Sequence, residues 1–229
     1  MNTFKKLLTL FPVLFISLNF IRSRYRWEFN DLGIFGFVEI ALNVLPILFF
    51  ASWDVFRRPL KLSAAKLLIM SSFYFYSMVV FYLTIFSVPF RNFFLPFQWS
   101  DVLEDKSYYL QTISLIPFKT IIEYGLVNTQ VIGNLIMLMP LGIYISVLYK
   151  KSVVNGMITL LTIAFGIEFL QFLFSVIIPS PLHSLSYGRS TDIDDVLLNF
   201  SGAAFSFTIC RWVIQKYTAP FQVRLKKTS

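Results

Sequence analysis

Long uncharged apolar runs, separated by short charged intervals, organise the chain. Leu67–Phe90 lies between Lys66 and Arg91, and Tyr124–Tyr149 lies between Glu123 and Lys150. Ser152–Ile178, Val196–Ile214 and Leu32–Trp53 each hold a single charge: Glu168, Arg211 and Glu39 respectively. All five approach or exceed the roughly 20 apolar residues that carry a helix across a bilayer, so the pattern predicts five transmembrane helices. Arg211 sits near enough to the end of its run to snorkel toward headgroups. A sixth run, Leu7–Ile21, is shorter and contains Pro12 and Asn19. Its basic start, Lys5-Lys6, has the look of a signal-peptide core. It ends, however, in Arg22, Arg24 and Arg26 rather than a small-residue cleavage site. It is expected as a retained first span, with a tilted interfacial helix as the alternative.

Within the runs, polar residues recur at helical spacing. If the last helix starts near Thr191 or Asp192, then Asp192, Asp195, Asn199, Gly202 and Ser206 share one face. The polar upper part of that stripe is expensive against lipid and should turn toward other helices. Carboxylates in a first turn also favour the positive end of the helix dipole. Thr191 or Asp192 is therefore a candidate cap, Asp194 and Asp195 candidates to satisfy early amides, and Arg189 a balancing charge. Three acids with an asparagine one turn further in exceed what capping requires, which makes Arg189, Asp192, Asp194, Asp195 and Asn199 candidate cleft residues. In the preceding run Glu168, Gln171 and Ser175 form a matching stripe. An unpaired glutamate far from both ends of a span costs about 2.5–3.5 kcal/mol or more, so Glu168 should be protonated, paired or hydrogen-bonded. Interhelical hydrogen bonding and chemistry are both open to it. Asn134 lies near the outer end of its span, Pro140 should kink that helix, and Gly142 permits close approach. Glu39 and Asn43 form an i, i+4 pair that joins this network or a separate one.

Composition and charge sharpen the class. The chain has 229 residues, 56% hydrophobic and 14% charged, where a soluble domain carries about 25% charged residues. Fold class is thus all-α, a polytopic membrane helix bundle of about six spans. The net charge of +8 is read as topology rather than nucleic-acid binding, because Lys and Arg collect on cytoplasmic loops. Alternating the six spans puts twelve basic residues on the side of both termini and seven on the other. Both termini are therefore expected in the cytoplasm, with the 91–123 loop and the aspartate cluster outside. That loop is rich in aromatic residues, which suit the bilayer interface. One cysteine, Cys210, excludes an internal disulfide.

Four segments occur in order: "LIPFKTI" (115–121), "NLIMLMPLG" (134–142), "IEFLQ" (167–171) and "RSTDIDDVLLNFSG" (189–202). Together they resemble the VanZ-like family of membrane proteins, named for a glycopeptide-resistance accessory protein, over about Leu67–Cys210. The resemblance places the family's polar signature on Asn134, Pro140, Gly142, Glu168, Gln171, Arg189, Asp192, Asp194, Asp195, Asn199 and Gly202. It implies a membrane core over 63–216, N-terminal membrane segments outside that core over 1–62, and a basic tail over 217–229. Some members are linked to resistance to teicoplanin and related lipid-tailed glycopeptides; no agreed reaction comes with the family, and the cofactor is unknown.

Two functions follow. The first is a non-enzymatic envelope protein that binds an amphiphile, a lipid precursor or a lipoglycopeptide, in an outward-facing acidic cleft. The second is a membrane-embedded enzyme on a lipid-linked substrate, with Asp192, Asp194 and Asp195 holding a divalent cation through oxygen and Glu168 as acid or base. Against the enzyme, no His/Cys metal spacing, G-x-S-x-G element or P-loop occurs, and the lone histidine, His183, lies in a proline-rich loop. Binding ranks first.

Overall fold

The structure, a computed structural model, describes residues 2–24, 34–57, 63–84, 113–149, 152–177 and 191–227. The described residues form helices: α1 (Asn2–Arg24), α2 (Ile34–Arg57), α3 (Ala64–Thr84), α4 (Lys119–Tyr124), α5 (Thr129–Met137), α6 (Met139–Tyr144) with a π-helical turn at Ile145–Tyr149, α7 (Val153–Ile177) and α8 (Ile193–Lys227). Among the described residues the only β-type pairing is an isolated bridge between Ser114 and Asp192. The fold is all-α, and five stretches are long and apolar enough to cross a membrane: Ile40–Arg57, Ala64–Thr84, Thr129–Tyr149, Val153–Leu173 and Ile193–Tyr217.

The chain divides into two compact units, Met1–Ile113 with Phe169–Thr191, and Ser114–Glu168 with Asp192–Ser229. In the first unit α1 packs on α2 and α3. Lys6, near the start of α1, donates to the carbonyl of Phe56 at the end of α2 (2.9 Å), while Ile21 packs on Ile40 and Val44 near the start of α2. These two contacts make α1 antiparallel to α2 along nearly its full length. Lys6 is well placed, because a cation at a helix C-terminus meets unpaired carbonyls and the negative end of the dipole. Tyr74 of α3 donates to Asp54 of α2 (2.7 Å), and Asp54 also pairs with Arg57 (3.4 Å). Buried Lys6, Thr9 and Ser17 alternate with exposed Phe4, Phe11, Phe15 and Leu18 on α1. Polar side chains inside and large apolar ones outside reverse the pattern of a water-soluble helix, as a lipid-facing surface requires.

In the second unit the run expected to begin at Tyr124 begins instead at Thr129. Gly125 takes φ 79°, which ends α4 and which a residue with a Cβ adopts only at a cost. Asn128 then caps α5 through its side chain, accepting from the amide of Gln130 (2.8 Å). Leu138 separates α5 from α6, with Pro140 in the first turn of α6, where its missing N–H costs least. The last helix continues to Lys227, so the segment expected as a basic tail is helical. Pairings of α8 with α5 and α6 advance together along both chains: Asp195 with Asn134, Gly202 beside Leu135, Ser206 with Met139, Phe207 with Ser146. The two elements are therefore parallel, and both start at the same end of this unit.

Candidate functional site

The start of α8 is a set of three carboxylates with three different duties. Asp192 caps its own helix, one oxygen accepting from the amide of Asp194 (2.9 Å). Its other oxygen accepts from the hydroxyl of Thr120. Asp194 points away from its own helix and receives the amides of Phe118, Thr120 (2.8 Å) and Ile121 (3.4 Å). It thereby caps α4, which has no capping side chain of its own at Phe118. The amide of Ile193 donates to the carbonyl of Ser114 (2.9 Å), so the "LIPFKTI" segment is bound to the start of α8 by main chain and side chain alike. Phe118 lies in the left-handed region at φ 66°, a conformation unfavourable for an aromatic residue, and Asp194 holds the amide on that residue.

This arrangement departs from one expectation: Asp194 serves another helix's amides rather than those of its own first turn. It is also fully buried, with its carboxylate engaged. Arg189 and His183 lie outside the described residues, as do residues 91–112 of the 91–123 loop, while on α2 Asn43 is buried and the Glu39 side chain lies outside the description.

Asp195 differs from its neighbours. It is half-buried and accepts side-chain hydrogen bonds from Asn134 and Gln130 of α5. One turn along the same face, Asn199 is completely buried, and neither atom of its side-chain amide has a partner among the described residues. A buried amide without partners costs about 1–3 kcal/mol, and in native structures such a group asks for a specific explanation. Beneath Asn199 the helices close. A Cβ on Gly202 would run into the carbonyl of Leu135, and one on Gly142 into the carbonyl of Ala203. Ser206 donates to the carbonyl of Met139 (2.6 Å) and Ser146 to that of Phe207 (3.1 Å), two hydrogen bonds that join the helices across the contact.

The matching stripe on α7 divides between the units. Glu168 is buried in the second unit; Gln171 is buried in the first, where its amide donates to the carbonyl of Thr84 at the end of α3 (2.8 Å). Among the described residues no group of three or more His, Cys, Asp or Glu side chains is placed to hold a metal ion.

The model of the VanZ/LLP1 family matches residues 73–214. That stretch holds the α4 segment, α5, α6, α8 as far as residue 214 and every aspartate just described. The chain belongs to the VanZ/LLP1 family. No curated protein and no solved structure matches it. α1 and α2 precede the region shared with VanZ/LLP1 proteins.

Several residues of this VanZ/LLP1 site escape a reading by spacing. Thr120, Gln130 and the amide of Phe118 bind the aspartates, yet none belongs to a polar stripe. One signal did exist: "LIPFKTI" stands out as a compact Pro-Phe-Lys-Thr element immediately before a span. Its partner, some 74 residues further on, carries no local trace.

Proposed function

We propose that this membrane protein binds an amphiphile at the mouth between α5 and α8, and that it protects against lipid-tailed glycopeptides of the teicoplanin type by doing so. The observation that carries the reading is one polar patch beside one apolar shelf. Asp195 and Asn134 are half-buried at the common start of the two helices, with unpartnered Asn199 behind them. At the same end Leu115, Ile116, Phe118, Ile122, Leu126 and Val127 are all exposed. A headgroup at Asp195 and an acyl chain along the shelf would satisfy both surfaces. The resemblance to proteins linked to glycopeptide resistance supplies the ligand class. Binding is preferred over catalysis because Asp192 and Asp194 already serve capping and hydrogen-bonding duties. A cation held by all three aspartates would have to draw Asp194 away from the amides of α4.

A teicoplanin susceptibility assay tests this. A sensitive Gram-positive host expresses wild type or Asp195→Asn at matched membrane levels. Wild type is expected to raise the inhibitory concentration and the variant to lose the increase. Equal protection by both would reduce Asp195 to a packing residue. No protection by wild type would remove the resistance reading and favour an enzyme acting on a lipid-linked envelope substrate.

A further inference from the structure

Resting on that reading, the geometry points to a primary ammonium as the headgroup: we propose that Asp195, Asn134 and Asn199 form a three-acceptor subsite for an R–NH₃⁺ group in the seam between α5 and α8. Three features of the seam lead there. Asn134 spends its amide nitrogen on Asp195, so the amide group keeps its carbonyl oxygen as an acceptor. Asn199 presents a side-chain oxygen with no donor among the described residues, on the face of α8 that carries Asp195 one turn earlier and Gly202 one turn later. The Gly202–Leu135 contact shows that this face abuts α5. Asp195 receives donors from Asn134 and Gln130, and a carboxylate with about four lone-pair sites retains room for another. An ammonium carries three N–H donors and no acceptor. It matches one carboxylate and two amide oxygens in number, and Asp195 in charge.

Burial adds the second argument. Asn199 is 0% exposed and its amide nitrogen is equally unpartnered. A residue kept only for packing at this position would be better as leucine, which has the same branched outline and leaves no polar atom unsatisfied. An N–H donor brought to the seam would give the Asn199 oxygen the partner it lacks among the described residues.

The test uses the full chain in phosphatidylcholine nanodiscs. Side-chain amide NMR signals of Asn134 and Asn199 are followed during titration with octylammonium, octyltrimethylammonium and octyl glucoside. Octylammonium should shift both signals saturably. Octyltrimethylammonium has the charge but no N–H donors and should bind about tenfold or more weakly, a loss of one hydrogen-bonding class. Asn199→Leu should raise the unfolding temperature and abolish the octylammonium response; Asp195→Asn should weaken it by about tenfold or more. Equal affinity for the quaternary amine would overturn the three-donor subsite. Tighter binding of the glucoside, still dependent on Asp195, would overturn the ammonium but leave amphiphile binding intact. Silence toward all three amphiphiles would overturn both, and a lowered unfolding temperature in Asn199→Leu would make Asn199 a structural residue and overturn its role here.

Discussion

Neighbouring aspartates at a helix start are easily taken for one feature, but Asp194 and Asp195 differ in what surrounds them. Asp194 is fully buried and meets only donors: the amides of Phe118, Thr120 and Ile121. Replacing it by asparagine turns an NH₂ group against amide N–H groups and leaves at least one donor unsatisfied, at a cost of about 1–3 kcal/mol. Asp195 is half-buried and its partners Asn134 and Gln130 are amides that can reverse by rotation, so Asp195→Asn should cost less than about 1 kcal/mol. Thermal unfolding of the two purified variants, compared with wild type, checks the order. A greater loss from Asp195→Asn would contradict the assignment. Sequence spacing could separate these residues only by face: Asp195 falls on the stripe with Asn199 and Gly202, and Asp194 falls beside it. What Asp194 binds was not legible, because its acceptors' partners are backbone amides, and every residue but proline offers one.

Between elements, close approach does what apolar burial does in water. Lipid is as apolar as the helices, so association depends on packing and hydrogen bonds, and small residues let backbones meet. Gly202 lies under the carbonyl of Leu135 and Gly142 under that of Ala203, with Ser206 bonded to Met139 between them. Gly133, by contrast, has nothing near the position of a Cβ. Gly202→Val should therefore destabilise the folded protein by about 1–3 kcal/mol or more, whereas Gly133→Ala should be neutral or stabilise by up to about 1 kcal/mol through helix propensity. Unfolding midpoints in the same detergent make the comparison, and a tolerated valine at 202 would refute the close contact. The stripe of Asp195, Asn199, Gly202 and Ser206 was readable from periodicity because a helix face repeats every three to four residues. The start of α5 was not: Tyr124–Tyr149 is uniformly apolar, and the break at Gly125 is a matter of backbone angle that hydropathy does not see.

Within the second unit, α5–α6 and α8 run parallel and α7 lies between them in sequence, so residues 123 and 195 belong to one end and residue 152 to the other. The division of basic residues, twelve against seven, predicts that the side of Glu123 faces the exterior. In a Cys210→Ala background, a cysteine at Glu123 should react with an impermeant thiol reagent added to intact cells, and one at Ser152 should react only after lysis. The opposite pattern would invert the orientation and bury the proposed mouth in the cytoplasm. Charge counts carry the expectation for the side, and the length of the runs made the class assignable. The status of the first run was harder to read, since Leu7–Ile21 is short; its helix, Asn2–Arg24, is matched to α2 by Lys6 at one end and Ile21 at the other.

The clasp of Asp194 on α4 also sets an order of events during synthesis. Residues 118–121 leave the ribosome long before residue 194, with α5, α6 and α7 made in the interval. Through that interval the amides of Phe118, Thr120 and Ile121 lack this acceptor, and Phe118 has no Asp194 to offset its left-handed backbone. Long-range contacts of this kind close late, after the intervening chain has been placed. Insertion of the last helix is therefore the step that closes the clasp, and a nascent chain arrested before residue 192 leaves the amides of α4 without their carboxylate.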